Sequence, residues 1–203
     1  MKINNRNKIA ILVSLFTALT AIGAYIKIPL PHIPITLQTF FVILSGNLLG
    51  FKYGSISQVL YLVLGLIGIP IFAYGGGPGY IFQPSFGYLL GYPICAFTIG
   101  IILKIILSKV EIKKISKSRF FLIFLISDIF GISTIFIFGL GFLYINIRGG
   151  LYLNIEQTFS TGLNWIEALK TALFLFIPID LIKAFLAVWV TITLKKFNIF
   201  CFN

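Results

Sequence analysis

Two opposite charges lie close together in the last long apolar stretch of the chain. Asp180 and Lys183 are three residues apart, so a helix would present both side chains on one face. If the stretch spans a membrane, each charge costs roughly 2.5–3.5 kcal/mol and needs a partner or a polar cavity. Pro178 removes one backbone donor just before the pair and is expected to bend the helix. The pair therefore predicts either a salt bridge that locks a bundle or a polar ligand site with a donor and an acceptor.

The sequence contains no motif for ATP binding, metal binding or enzymatic catalysis. No glycine-rich loop ends in Gly-Lys-Ser or Gly-Lys-Thr, so ATP binding through a P-loop is excluded. The lone His32 has no carboxylate or thiol neighbour, and the two cysteines lack metal-ligand spacing, so we expect no metal and no cofactor. No nucleophile–base–acid set is visible, which argues against an enzyme. A third acid, Asp128, is expected to face another helix or to reach the cytoplasmic interface.

The composition predicts that these residues lie in a membrane. Of the 203 residues 59% are hydrophobic and 10% are charged, and the mean hydropathy is +1.04, whereas soluble domains average about 45–50% apolar and about 25% charged residues. At about 20 residues per span, the chain allows six helices and no separate soluble domain. The apolar runs lack the alternation of barrel strands, so the predicted fold is an all-α integral membrane protein with one six-helix bundle. The spans are predicted at 9–27, 36–51, 55–73, 86–107, 120–146 and 167–194.

The basic residues predict the orientation of this bundle. The net charge is +11, and the 16 Lys and Arg residues cluster at the ends of apolar runs, as in membrane proteins and not as in nucleic-acid-binding proteins. Twelve of them lie on the side of the N-terminus, three on the other side, and Lys183 inside a span. By the positive-inside rule, both termini are cytoplasmic and the protein crosses the cell membrane several times.

Three segments are then expected outside the cell, at 28–35, 74–85 and 147–166. The stretch from Tyr74 to Tyr80 contains four glycines around Pro78, so we predict that it is not helical. It is either a tight hairpin or a loop whose backbone approaches a ligand closely.

Small residues at intervals of four predict close helix packing. Two such series are interpreted as contacts inside the bundle. They are Gly46, Gly50 and Gly54, and Gly87 and Gly91. A third series, Ala10, Ser14 and Ala18 in the first span, could face either the bundle or a partner protein.

Three blocks of sequence occur in an order and spacing typical of one family. They are PITLQT from Pro34 to Thr39 continuing to Gly54, LGLIGIPIF from Leu64 through the glycine loop to Gly91, and PIDLIKA from Pro178 to Ala184. Over residues 9–196 the chain resembles the BioY family, the biotin-specific substrate-binding subunits of energy-coupling-factor transporters. The resemblance implies six helices, capture of biotin from outside, and energising partners, namely a transmembrane coupling subunit and two cytoplasmic ATP-binding subunits.

The resemblance also implies a binding site. Asp180 would accept hydrogen bonds from the ureido N–H groups of biotin, and Lys183 would donate to the ureido carbonyl. Tyr80, Phe82 and Tyr88 would form aromatic walls, and Ala10, Ser14 and Ala18 would contact the coupling subunit. The candidates for the carboxylate and the remaining polar contacts are Thr36, Gln38, Arg148, Gly76, Gly77 and Gly79.

Two other functions remain open from the sequence. One is an ion- or proton-coupled carrier in which Asp128 and Asp180 relay protons. The other is a structural membrane subunit without a ligand. Binding and flux measurements on the purified chain separate these three hypotheses.

Overall fold

The computed structural model describes residues 5–30, 33–109, 116–148 and 165–194. Apart from two short strands, the regular structure in this part is helical. The long helices are α1 Asn5–Tyr25, α2 Gln38–Leu66, α3 Phe86–Ser108, α4 Lys117–Arg148 and α5 Trp165–Leu194, and a 3-10 helix covers Pro78–Phe82. The predicted all-helical class is therefore confirmed.

Each of the five long helices contains a stretch long and apolar enough to cross a membrane. Large apolar side chains cover the outside of the bundle; Phe174 is 88% exposed and Trp189 is 62% exposed. A soluble protein rarely leaves so much apolar surface in contact with water. These surfaces suit contact with lipid and indicate a multi-pass membrane protein.

The α2 element consists of two helical segments that meet at Gly50. Gly50 has φ 74° and ψ −176°, a conformation that glycine adopts readily because it has no Cβ. Gln58 Nε2 donates to Ser45 Oγ over 3.2 Å, although a continuous helix would separate these residues by about 20 Å. Segments 38–49 and 51–66 therefore run antiparallel against each other. Gly50 is buried against α3, where a Cβ on Gly100 would lie 2.5 Å from the Gly50 carbonyl carbon, so the interpretation of Gly50 as a packing residue is confirmed. The sequence did not predict that Gly50 also reverses the chain.

The predicted second and third spans, 36–51 and 55–73, fall on these two segments. The expected end at residue 73 is wrong, because the helix ends at Leu66 and Gly68 follows with φ 116°. The expectation that Tyr74–Tyr80 contains no helix is also wrong in part. Its last residues belong to the 3-10 helix that starts at Pro78.

Small residues bring the helices together as predicted. A Cβ on Gly91 would lie 2.7 Å from Ile135 Cα of α4, and one on Gly46 would lie 3.0 Å from Ile99 Cβ of α3. Gly54 packs equally closely on Ser45 within α2. Side chains at these positions would push the backbones apart, so the prediction of internal packing is confirmed for these glycines.

Two strands tie the first connecting segment to the bundle. Strand β1, Lys27–Ile28, pairs antiparallel with β2, Ile35–Thr36, so that Lys27 lies opposite Thr36. The Leu37 N–H donates to the carbonyls of Gly23 and Ile26 at the end of α1. These contacts place the start of α2 beside the end of α1.

Candidate functional site

A cavity lies at the end of the bundle where segments 26–37 and 67–85 join the helices. The empty space in and around it is about 480 Å³, a volume that includes open solvent at its mouth. Its walls come from α2, α3, α4, α5 and both connecting segments. The lining residues are Ile33, Pro34, Thr36, Gln38, Thr39, Ala73, Tyr80, Ser85, Tyr88, Leu89, Tyr92, Ile135, Phe136, Phe176, Asp180 and Lys183.

The predicted ion pair lies in the wall of this cavity. Lys183 Nζ is 2.7 Å from Asp180 Oδ1, and the two residues are only 7% and 5% exposed. Helix α5 continues through Pro178, so the i,i+3 spacing keeps both side chains on one face. The prediction of a salt bridge is confirmed, and both partners line a cavity.

Thr39 lies near the carboxylate of this pair and lines the same cavity. Lys183 has three N–H donors and uses one on Asp180, and a carboxylate accepts several hydrogen bonds. The pair therefore keeps both donor and acceptor capacity for a ligand.

Thr36 and Gln38 line the cavity, but protein partners occupy their polar atoms. Thr36 Oγ1 donates to Gln38 Oε1 over 2.9 Å, and Gln38 Nε2 donates to the Tyr61 hydroxyl over 2.5 Å. Tyr61 in turn donates to the Ile71 carbonyl over 3.0 Å. This chain of hydrogen bonds links the two connecting segments behind the cavity wall.

Tyr80 contributes an aromatic wall from the second connecting segment. Its ring centroid is 4.5 Å from that of Phe72, and its hydroxyl lies 3.3 Å from Ser85 Oγ. Burial raises the pKa of the Tyr80 hydroxyl above its ordinary value of 10.0, so the phenol is neutral at physiological pH. Tyr80 and Ser85 thus satisfy each other while the ring covers one side of the cavity.

Tyr88 differs from the other polar residues of the cavity. Its ring lies against the backbone of Gly139, where a Cβ would come within 2.5 Å of the ring atoms, and it meets Phe136 edge-on at 6.3 Å. The residue is 7% exposed, and its hydroxyl has no hydrogen-bond partner in the described part of the chain. It also lies within electrostatic range of Asp180. Buried hydroxyls are normally paired, so this one is available to a ligand.

The glycine loop contacts the end of α2. Gly77 N–H donates to the Gly65 carbonyl over 2.7 Å, and Gly75 pairs with Phe72. A Cβ on Gly76 would overlap the Ile69 carbonyl, so the glycines permit close backbone packing. None of Gly76, Gly77 and Gly79 is among the lining residues of the cavity.

Three polar lining residues were not predicted from the sequence: Thr39, Ser85 and Tyr92. Tyr92 follows Tyr88 by one helical turn, and this spacing could have indicated a shared face. Thr39 and Ser85 carry no comparable signal, because small hydroxyl residues near helix starts are common in any protein.

The acid in α4 lies outside the cavity lining. Asp128 is fully buried, and its Oδ2 accepts a hydrogen bond of 3.1 Å from Asn47 Nδ2. Asp128 therefore joins α4 to segment 38–49. The expectation that Asp128 faces another helix is confirmed.

The small residues of α1 face away from the bundle. Ala10, Ser14 and Ala18 are all exposed, whereas Val13, Phe16 and Thr17 between them are buried. The small-residue face is thus exposed on the described part of the bundle. Arg148 was also predicted to contact the ligand. Its side chain lies outside the described part of the structure, so this contact stays a prediction.

Comparison with known proteins places this architecture in a family. The model of the BioY family matches residues 1–199. A probable biotin transporter BioY of Lysinibacillus sphaericus is 52% identical over 90 residues, which cover 44% of this chain and 46% of the relative. The probable biotin transporter BioY of Bacillus subtilis (strain 168) is 30% identical over 187 residues, or 88% of each chain.

A solved structure has the same fold. The crystal structure of the S-component for biotin from an ECF-type ABC transporter matches with a TM-score of 0.75 and 30% identity, over 97% of this chain and 95% of that chain. The matched segments span about half the length of several curated relatives. The family model nevertheless covers nearly the whole sequence, and this chain belongs to the BioY family.

Proposed function

We propose that this chain is a high-affinity biotin-binding subunit of the cell membrane that mediates biotin uptake. The observation that carries the proposal is the buried Asp180–Lys183 pair in the cavity wall. Relatives of comparable length are described as biotin transporters, and the matching structure is an S-component for biotin. The family consists of transporter subunits and not of enzymes.

The ureido ring of biotin fits the chemistry of the ion pair. The ring offers two N–H donors and one carbonyl acceptor. Asp180 accepts from the N–H groups, while Lys183 donates to the carbonyl and neutralises Asp180. A site built around such polar groups rejects ligands that leave one of them unmatched.

The apolar part of biotin fits the remaining walls. Tyr80 and Tyr88, with Phe136 and Phe176, surround the cavity with aromatic rings. The thiophane ring and the valerate methylenes would lie against them, and the carboxylate would point towards the connecting segments. Ligand sites commonly combine such apolar walls with a few convergent polar groups.

We further propose six crossings with both termini in the cytoplasm. Two observations support this topology: the antiparallel segments on either side of Gly50, and the excess of Lys and Arg on one side of the membrane. In this orientation the connecting segments 26–37 and 67–85 lie outside, and the cavity opens towards the source of biotin.

The energy for transport comes, in this proposal, from separate subunits. The chain has no P-loop, so a transmembrane coupling subunit and two cytoplasmic ATP-binding subunits would supply it. Ala10, Ser14 and Ala18 would receive the coupling subunit, because small exposed residues allow a second helix to approach closely. Their exposure on α1 supports this assignment.

The test is titration of biotin into detergent-purified variants at matched concentrations of folded protein. Asp180→Asn and Lys183→Met should each weaken biotin binding roughly 10- to 100-fold, because a charged hydrogen bond contributes about 1.5–3 kcal/mol. The double variant should recover stability, since no charge is left unpaired, but it should not recover binding. Asp128→Asn is the control, a buried acid outside the cavity lining, and should bind normally.

Other outcomes identify the alternative functions. If binding follows only the amount of folded protein and returns in the double variant, the ion pair is structural. Proton flux in vesicles that depends on Asp128 and Asp180 would instead indicate a coupled carrier. Near-native affinity in either single variant would mean that the ureido ring binds elsewhere.

A further inference from the structure

Lys27 bridges the two connecting segments at the edge of the cavity. It lies on β1 directly opposite Thr36, a residue of the cavity lining. Its Nζ donates to the carbonyl of Ala73, which also lines the cavity. Opposed residues of an antiparallel pair project to the same face. Lys27 is not itself among the lining residues, but its backbone pairs with one of them and its ammonium group lies beside the carbonyl of another.

Neighbouring contacts hold the ammonium group in this position. The Lys27 Nζ lies 4.5 Å from the centroid of the Tyr74 ring. The Tyr74 hydroxyl in turn donates to the Leu30 carbonyl over 3.3 Å. The positive charge is therefore held by a carbonyl group and an aromatic face, so less side-chain entropy is lost when an anion binds.

Lys27 has no acidic partner among the described side chains. The two acids that the structure describes have other partners, since Asp180 pairs with Lys183 and Asp128 accepts from Asn47. A carbonyl dipole and a ring quadrupole attract the cation without cancelling its charge. Two of its three N–H donors remain for a ligand.

Other groups near the cavity are less suited to bind a carboxylate. Thr36 and Gln38 are hydrogen-bonded to each other, and Gln38 also to Tyr61. The Gly75 and Gly77 N–H groups donate to protein carbonyls. Lys183 is already paired with Asp180 on α5.

We propose that Lys27 binds the carboxylate of the ligand. The proposal rests on the proposed function: with the ureido ring at the α5 ion pair, the valerate chain extends towards the connecting segments and ends at Lys27. The site then uses one buried ion pair for the polar ring and one cation at the mouth for the anionic tail. It follows that the protein selects ligands with a free carboxylate.

A pair of ligands isolates this contact. Biotin and its uncharged methyl ester share the ureido ring, the thiophane ring and the methylenes, but only biotin is an anion. Purified Lys27→Met should bind biotin about tenfold more weakly than the unmodified protein and should bind the ester with unchanged affinity. Lys27→Arg should retain preference for biotin, because the charge is kept.

Lys104→Met is the matched control. Lys104 is likewise an exposed lysine over an aromatic ring, 5.0 Å from the Phe51 centroid, but it lies far along α3 from the cavity. Its loss should change the affinity for neither ligand. Thermal unfolding of all variants in detergent verifies that each is folded.

Two results would overturn the assignment of Lys27 without contradicting the proposed function. An equal loss for biotin and ester in Lys27→Met would mean that Lys27 only braces the connecting segments. An unchanged biotin affinity would mean that the carboxylate binds another group. Failure of the unmodified protein to bind either ligand would instead refute the proposed function.

Discussion

Replacing Tyr88 by phenylalanine should raise stability and weaken biotin binding. The Tyr88 hydroxyl is buried and has no hydrogen-bond partner in the described part of the chain. A buried unsatisfied polar group costs about 1–3 kcal/mol, so its removal should stabilise the ligand-free protein by roughly 1 kcal/mol. The ring should stay in place, because Gly139 and Phe136 hold it independently of the hydroxyl.

Tyr61→Phe provides the matched comparison for this change. The Tyr61 hydroxyl donates to the Ile71 carbonyl and accepts from Gln38. Its removal leaves the buried Gln38 amide and the half-buried Ile71 carbonyl without this partner, so the free energy of unfolding should fall by about 1–3 kcal/mol. The same chemical change thus has opposite expected signs at two tyrosines of one protein.

The assay combines thermal unfolding in detergent with biotin titration. Tyr88→Phe should unfold at a higher temperature than the unmodified protein and bind biotin several-fold more weakly, since one hydrogen bond contributes about 0.5–1.5 kcal/mol. Tyr61→Phe should unfold at a lower temperature. A lower unfolding temperature for Tyr88→Phe would show that the hydroxyl has a protein partner, and unchanged affinity would show that it does not touch the ligand.

Two further predictions concern topology and assembly. In a variant with Cys201 replaced by serine, a cysteine introduced at the exposed Phe82 should react with an impermeant reagent added outside intact cells. A cysteine introduced at Lys109 should not react. The reverse pattern would refute the proposed orientation. Ala18→Leu should reduce biotin uptake in cells that contain the energising subunits, without changing biotin affinity, because a bulky side chain keeps a partner helix away. Uptake equal to that of the unmodified protein would remove the α1 face from the partner interface.

The ion pair of the candidate site could be predicted from the sequence because both of its residues lie in one short stretch. Asp180 and Lys183 are three residues apart in an apolar stretch, so helical geometry alone brings them together. Their burial follows from the surrounding composition, since a membrane-spanning helix must match its charges internally. The observed separation of 2.7 Å agrees with this reasoning.

Pairings between distant segments were not accessible in the same way. Gln38 was predicted as a ligand contact, yet it binds Tyr61, 23 residues away in the sequence. This contact exists only because Gly50 reverses the chain and brings segments 38–49 and 51–66 side by side. A glycine in a regular series of small residues looks the same in sequence whether it packs a helix or ends one.

The glycine loop shows a similar ambiguity. Its composition indicated close backbone approach, and the structure contains such an approach, to Gly65 and Ile69 of its own chain. Composition indicates that a loop permits close contact but not what it contacts. The proposed role of Lys27 could not be predicted from the sequence either, because it depends on strand pairing between β1 and β2.

We propose above all that the ion pair of α5 binds the ureido ring of biotin. A crystal structure of the purified protein with biotin is the most direct test. We expect the ureido carbonyl oxygen within hydrogen-bond distance of Lys183 Nζ, about 2.7–3.1 Å, and a ureido nitrogen equally close to the Asp180 carboxylate. A biotin molecule bound with its ureido ring away from both residues would contradict this proposal.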